Sequence, residues 1–435
     1  MTTPWKTLKI EDLVRSGEAE LKTGPFGTQL HASDYVEAGT AVINVRNIGF
    51  GDIKPDKLEY IADDTVMRLS SHLLRCQDIV FGRKGAVERH VFIRDKQSSW
   101  FQGSDCLRLR LNSSSVEPQF VSYHCLTEIH KAWIMSQCSH GATMASLNQD
   151  IIGRIELRLP PLSTQRKIAA VLSTYDDLIE NNTRRIQILE EMAQALYREW
   201  FVHFRFPGHE TSGMVESEMG LIPEGWKPVP IITAADVLRG RSYKGTELVD
   251  QGGVPFLNLK CIARDGGFRY DGVKRYAGSF KDTQTAKAGD IIMAVTDMTQ
   301  ERRLVARAAR VPKLSEIQAV FSMDLVKVAP KADISGEYLL GTLRYTNFAD
   351  EVKQHANGAN VLHLNPERIE AFLFPLAPLP FRDLFAFHAR PMFAECDVLE
   401  QKNQCLRQTR DLLLPKLISG EVDVAELDIV TKEAV

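Results

Sequence analysis

Four arginines fall within nine residues, at Arg302, Arg303, Arg307 and Arg310, the densest run of positive charge in the chain. Thr296, Thr299 and Gln300 stand just before them, and Asn258 and Lys260 lie further upstream. An earlier stretch has a similar make-up in Arg46, Asn47, Arg83, Lys84 and Arg89. Guanidinium and ammonium groups grip phosphates or the acceptor pair on guanine, and side-chain amides suit adenine. On polar segments beside predicted strands, these residue types are the expected equipment of a nucleic-acid reader. A solvated strand with alternating arginines would look the same in sequence. Residues 241–330 hold 15 Lys/Arg against 10 Asp/Glu, within a chain of net charge −3; residues 1–160 balance at 19 and 19.

The usual catalytic arrangements are missing from the sequence. No GxxxxGK[ST] run offers a phosphate cradle, and Gly49-Phe50-Gly51 lacks the third glycine of a dinucleotide loop. No HExxH or Cys/His cluster has metal-ligand spacing, and the 11 histidines are dispersed. Pro55-Asp56 finds no well-spaced Glu-x-Lys that would complete a nuclease centre, and no Asn-Pro-Pro-aromatic motif could hold an adenine for methylation. The seven cysteines are scattered without a CxxC pair, which points to reduced thiols in a cytoplasm. The N-terminus has no apolar signal region. The greasiest stretch, Phe372 to Phe381, is broken by Pro375, Pro378 and Pro380, so no membrane span is expected. Recognition is therefore the better account than catalysis.

The elements that would position these side chains occur twice. Residues 140–162 align with 357–379 at an offset of 217, bringing Gly141/Gly358, Ala142/Ala359, Leu147/Leu364, Asn148/Asn365, Ile152/Ile369 and Pro161/Pro378 into register. Upstream, Val42 to Ile48 resembles Phe256 to Ile262, and Asp78-Ile79-Val80 resembles Asp290-Ile291-Ile292. After Pro161 comes a run of nearly forty residues without Gly or Pro, for which Ser163 is a plausible N-cap. Apolar residues recur there at alternating spacings of four and three: Ile168, Leu172, Tyr175, Ile179, Ile186, Leu189, Ala193, Leu196 and Trp200. That is a heptad seam about 55–60 Å long, in which Asn182 would fix register. The same offset yields Phe385, Met392, Leu399, Leu406 and Leu413 in a second helix. The other half of that seam, Ala389, Cys396, Asn403, Arg410 and Leu417, is a poorer set, and Pro391 should kink or interrupt the helix. Residues 206–226, rich in Pro, Gly and Ser-type residues, read as a linker.

Several of these segments carry a family likeness. Gly24-Pro-Phe-Gly-Thr-Gln-Leu30 with Asp34-Tyr35, Gly39 and Val42 through Ile48 resembles the opening of a target-recognition domain in Type I restriction–modification specificity (S) subunits. Asp78 through Gly85 resembles that family's Gly-Asp-Ile-aromatic-Arg-x-Gly turn, with Gln77 where the glycine is usual. Leu159-Pro-Pro-Leu162 with Gln165 and Ile168, and Ala195 through Phe201 with Phe204, look like the start and end of its first spacer helix. Ile222-Pro-Glu-Gly-Trp226 resembles the start of the second half, and Leu413 through Gly420 the C-terminal ending. The likeness covers nearly the whole chain in order. It departs at Phe381-Arg382-Asp383-Leu384, where a Glu-Gln pair is usual, and at Pro391.

The resemblance implies an α/β (α+β) fold of two similar target-recognition domains separated by two long antiparallel coiled-coil helices, a pseudo-two-fold internal repeat. Domain 1 is expected over 1–162, the first spacer helix over 163–205, linker plus domain 2 over 206–379, the second spacer helix over 380–420, and a tail over 421–435. It implies a non-catalytic subunit that reads one half of a bipartite double-stranded DNA target with each domain. Two modification subunits carrying S-adenosylmethionine, and restriction/translocase subunits using ATP and Mg, would be its partners, with no cofactor in this chain. Left open are a stand-alone methyltransferase or nuclease with its own recognition domains and a DNA-binding regulator. The spacer seam and subunit interface would use Ile168, Leu172, Tyr175, Ile179, Ile186, Leu189, Leu196, Leu399, Leu406 and Leu413.

Overall fold

The computed structural model describes residues 5–27, 29–55, 57–138, 145–314 and 316–431. Thr28, Asp56, Gly141 and Ala142, used above, lie outside the described residues, as do residues 1–4. The chain forms two units, one from residues 1–179 with 405–435 and the other from residues 180–404.

In the first unit, strands Ala19–Thr23, Cys106–Leu111, Ile79–Gly82, His90–Phe92 and Phe50–Gly51 lie side by side in that order. A second sheet runs Tyr35–Val36, Glu59–Ile61, Thr40–Ile43, Phe101–Gln102. Lys6–Lys9 pairs antiparallel with Glu156–Leu159. All four residues of Ile79–Gly82 are buried, as expected of a strand covered on both faces. The core unites Ile79, Phe81, Leu107, Leu109, Phe120 and Leu157 with Ile168 and Leu172 of the first long helix and Leu414, Leu417 and Ile418 of the second. Val424 joins the same core, Lys167 Nζ donates to the Ala425 carbonyl at 2.6 Å, and Trp5 packs against Gly420. Within the segment expected as a tail, Val422, Val424 and Ile429 pack into this core.

The second unit repeats the plan. Ala235–Arg239, Leu325–Pro330, Ile291–Ala294 and Ala308–Arg310 form one sheet; Leu248–Val249, Lys274–Tyr276, Val254–Leu257, Gln318–Phe321 and Thr285–Lys287 form the other. Lys227–Pro230 pairs with Leu373–Leu376 as its counterparts do in the first unit. The supposed linker is ordered structure: Met214–Ser217 and Gly220–Pro223 form a hairpin, and Phe206, Ile222 and Trp226 are buried. Phe201, Phe204 and Phe206 all lie within 6 Å, centroid to centroid, of the Trp226 ring. Composition suggested a linker because turn residues dominate it; the aromatics between them supply the burial.

The first long helix runs Leu162–Tyr197 and continues as a π-helical turn through Arg198–Val202. Thr164 and Gln165 donate their N–H groups to the Pro161 carbonyl, so the helix starts behind Pro161 and Ser163 sits inside its first turn rather than capping it. The second long helix runs unbroken over Leu379–Ser419. Pro391 does not interrupt it. The residue is exposed, so the carbonyl it leaves without a partner can be hydrated.

Within each unit the two helices run antiparallel, and the "poor" half of the second seam is as well covered as the other, with Ala389, Cys396, Asn403 and Leu417 all buried. In the second unit Ala389, Leu399 and Asn403 are fully buried, and Asn182 Nδ2 donates to Asn403 Oδ1 at 3.0 Å. Ile186, Leu189 and Leu196 are half-buried there, and Arg185 pairs with Glu395 at 2.9 Å. In the first unit Leu417 is buried, Tyr175, Ile179, Leu406 and Leu413 are half-buried, and Arg410 reaches Asp176 at 2.6 Å. Tyr123 donates to the other Asp176 oxygen at 2.7 Å, tying the globular part to both helices. The polar seam residues are paired layers, of the kind that specify register.

Candidate nucleic-acid interface

Each unit builds its polar loops on the same backbone devices. Gly24 and Gly240 follow the first strand of their sheets, where an added Cβ would stand 1.9 Å from the Gly103 carbonyl oxygen and 2.1 Å from that of Ser322. Only glycine permits that approach. Asp78 accepts the Arg75 N–H at 2.8 Å and Asp290 that of Lys287 at 3.0 Å, closing matching turns. The residue before each aspartate has a left-handed backbone: Gly289 at φ 90°, and Gln77 at φ 72°. The departure from the family's glycine at Gln77 therefore keeps the glycine conformation. The other departure resolves in the same way. Gln165 is buried and donates to the Ser115 carbonyl at 3.0 Å, while Arg382, 217 positions later, donates to the Asp333 carbonyl at 2.6 Å. Arginine does the job of glutamine at the start of the second helix.

On the first unit's frame, Arg83 and Lys84 follow the buried strand Ile79–Gly82. Arg83 donates its N–H to the Asp105 carbonyl at 2.8 Å, and Lys84 Nζ lies 3.1 Å from the Asp105 carboxylate. The Arg83 guanidinium carbon lies 6.0 Å from the Phe26 ring centre. Phe50 stands between Arg89, at 5.4 Å, and Lys131, at 4.8 Å. Arg46 bonds Glu59 at 2.6 Å. Asn47 is fully buried, and its amide accepts the Asn44 N–H at 3.1 Å and donates to the Lys54 carbonyl at 3.0 Å. Asn47 holds the turn and does not face a ligand. Behind these loops His90, His124 and His130 cluster: His90 Nε2 is 2.9 Å from Ser122 Oγ, and the His124 and His130 rings are 5.5 Å apart. Burial pushes the three imidazoles down, to about 3, about 4 and about 3.

In the second unit the loop after Thr296 is organised by Asp297. Burial works to raise this carboxyl, but N–H groups from Leu304 and Thr299 and the Thr299 hydroxyl outweigh it and hold the group below its ordinary range. Thr299 is thereby engaged within the loop. Gln300 donates to the Ala359 carbonyl at 2.9 Å, Arg302 bonds Gln354 at 3.0 Å, and Arg303 pairs with Glu301. Arg307 reaches Asp350, and Arg310 makes two bonds of 2.8 and 2.7 Å to Asp397 on the second long helix. The arginine cluster is thus a set of local pairs, with Arg310 anchoring the sheet to its helix. Asn258 and Thr296 are buried; the Asn258 amide accepts the Lys260 N–H at 2.9 Å and donates to the Gly272 carbonyl at 2.8 Å. Lys260 is exposed. The loop positions of Arg83, Lys84, Arg89, Lys260, Arg302 and Arg303 remain accessible, whereas Asn47, Asn258 and Thr296 belong to the scaffold. Sequence reasoning missed Phe26, whose neighbours Gly24 and Gly27 mark an exposed turn.

Among the described residues, no group of three or more His, Cys, Asp or Glu is placed to hold a metal ion, and no helix is long and apolar enough to cross a membrane.

Residues 32–191 match the family described as Type I restriction modification DNA specificity domain. The chain is 25% identical over 302 residues to the Type I restriction enzyme MjaIX specificity subunit of Methanocaldococcus jannaschii, covering 67% of this chain and 66% of that one. It is 22% identical over 402 residues to a specificity subunit of the same organism provisionally named MjaX, covering 89% and 88%. Its fold is similar to the crystal structure of a Type I restriction-modification system S subunit from M. genitalium, with a TM-score of 0.57 and 14% identity over 96% of this chain and 99% of that one.

Proposed function

We propose that this chain, a member of the Type I restriction–modification specificity subunits, reads a split DNA target, one half with each repeated unit. The observation that carries this reading is the duplication. One frame, held by Gly24/Gly240 and Asp78/Asp290, is built twice, and each copy displays different cationic and aromatic side chains at its loops. Two unlike loop sets on like frames suit two unlike half-sites.

The long helices set the spacing between half-sites and receive two modification subunits. Exposed apolar side chains on each support docking: Leu178, Ile188 and Met192 on the first, Leu384, Phe387 and Val398 on the second. Chemistry is left to the partners, S-adenosylmethionine to the modification subunits and ATP with Mg to the restriction subunits, and the assembly works in the cytoplasm. The near-neutral charge of the chain fits a subunit that shares phosphate contacts with its partners.

The test is to exchange residues 1–160 for the corresponding domain of another S subunit and sequence the methylated sites of the host. One half of the site should change while the other stays. A change in both halves, or in neither, would sink the reading. Lengthening the helix within 168–200 should alter only the spacer between the halves.

A further inference from the structure

The loop that opens each sheet differs between the two units in length and in what it shows to solvent. In the first unit seven chain steps separate Gly24 from His31, whose N–H bonds the Asp34 carboxylate at 2.6 Å. In the second, four steps separate Gly240 from Lys244, whose N–H bonds Glu247 at 2.6 Å. In the longer loop the Phe26 carbonyl accepts the N–H groups of Gln29 at 2.7 Å and Leu30 at 3.2 Å. The turn holds the backbone and leaves the ring 58% exposed. The aromatic of the shorter loop, Tyr243, instead lies against Phe256, with ring centres 4.7 Å apart. Beside Phe26 stands Arg83.

From this we infer that Phe26 is a DNA-contacting, specificity-determining residue of the first unit, packing its ring against a thymine methyl in the major groove of the first half-site while Arg83 takes the adjoining phosphate. The inference rests on the DNA-reading function proposed above. An exposed apolar ring beside a guanidinium matches a duplex edge, where a thymine methyl stands in the major groove near the backbone anion. Hydrogen-bonding side chains already serve the frame at Asn47, so a ring supplies contact that the buried amide does not. The second unit, with its aromatic folded inward, reads its half by other means.

The experiment uses the full chain co-expressed with its modification subunits, and a duplex carrying the site that this complex methylates. Affinity is measured for Phe26→Ala, Phe26→Trp and Arg83→Gln on the intact site and on sites scrambled in the first or second half. Phe26→Ala should lose roughly tenfold in affinity, the size of one lost base-specific contact, and Phe26→Trp should recover it. The loss should vanish on duplexes scrambled in the first half and persist on those scrambled in the second. Arg83→Gln should reduce the salt dependence of binding by about one phosphate contact. Wild-type affinity in Phe26→Ala overturns the proposal; so does a defect confined to assembly with the modification subunits, which would make Phe26 a protein contact. A wild-type complex that ignores both halves of the duplex would bring down the DNA-reading function and this inference together.

Discussion

The two units share a backbone plan and differ in how they finish it. At the strand position where the first unit sets His90 opposite Phe81, the second sets Ala308 opposite Met293. The first unit gathers His90, His124 and His130, two of them buried, and exposes Phe26; the second binds its arginines into pairs with Glu301, Asp350 and Asp397. What stays constant is what the backbone requires, namely the close-approach glycines, the aspartate turns and the Asn148 and Asn365 caps. Duplication has preserved the positions at which a side chain or an N–H has one permissible arrangement. The loops between them were free to diverge.

That comparison can be broken most severely at the glycines. Gly24→Ala should destabilise the first unit by about 3 kcal/mol, because the methyl collides with backbone that cannot swing aside. Gly240→Ala should do the same to the second unit only. Hydrogen exchange resolved along the chain would show each loss confined to its own unit; matching losses in both would mean that they do not unfold separately.

Acid should separate the units next. Free histidine titrates near 6.5, and His90, His124 and His130 are held well below that, so between about pH 6.5 and 4 the unfolded chain takes up protons that the folded unit refuses. Stability therefore falls as pH drops through this window, by up to ~1.4 kcal/mol per pH unit for each histidine. Exchange protection in the first unit should collapse at higher pH than in the second. Replacing His90 by Ala, the second unit's residue, should shrink the difference by one histidine's share, with His124 and His130 supplying the rest.

The smallest effect is expected at the turns before the aspartates. Gln77→Gly should stabilise the first unit by about 1 kcal/mol, since glycine adopts that positive φ without strain. Gly289→Gln should cost the second unit a similar amount. Chemical denaturation monitored within each unit would detect both shifts.

The repeat, both long helices and the alternating seam were legible from spacing alone, because periodicity reports which side of an element is buried. Partnership was not. Asn403 and Arg410 looked like defects until Asn182 and Asp176 were found opposite them, more than two hundred residues away in sequence. Arg310 looked free for the same reason, since Asp397 lies 87 positions downstream. Pro391 misled because a missing hydrogen bond matters only where water cannot replace it. Phe26 went unread because an aromatic residue is expected to be interior.

Residues 405–431 complete the first unit, so residues 5–179, made before the second unit, await a stretch made after it before their core is closed. During synthesis the intervening unit has all of its own chain first. A premature stop near Leu413 would therefore leave the late-made globe whole and the early-made one open, exposing Ile168 and Leu172 where Leu417 and Ile418 should lie.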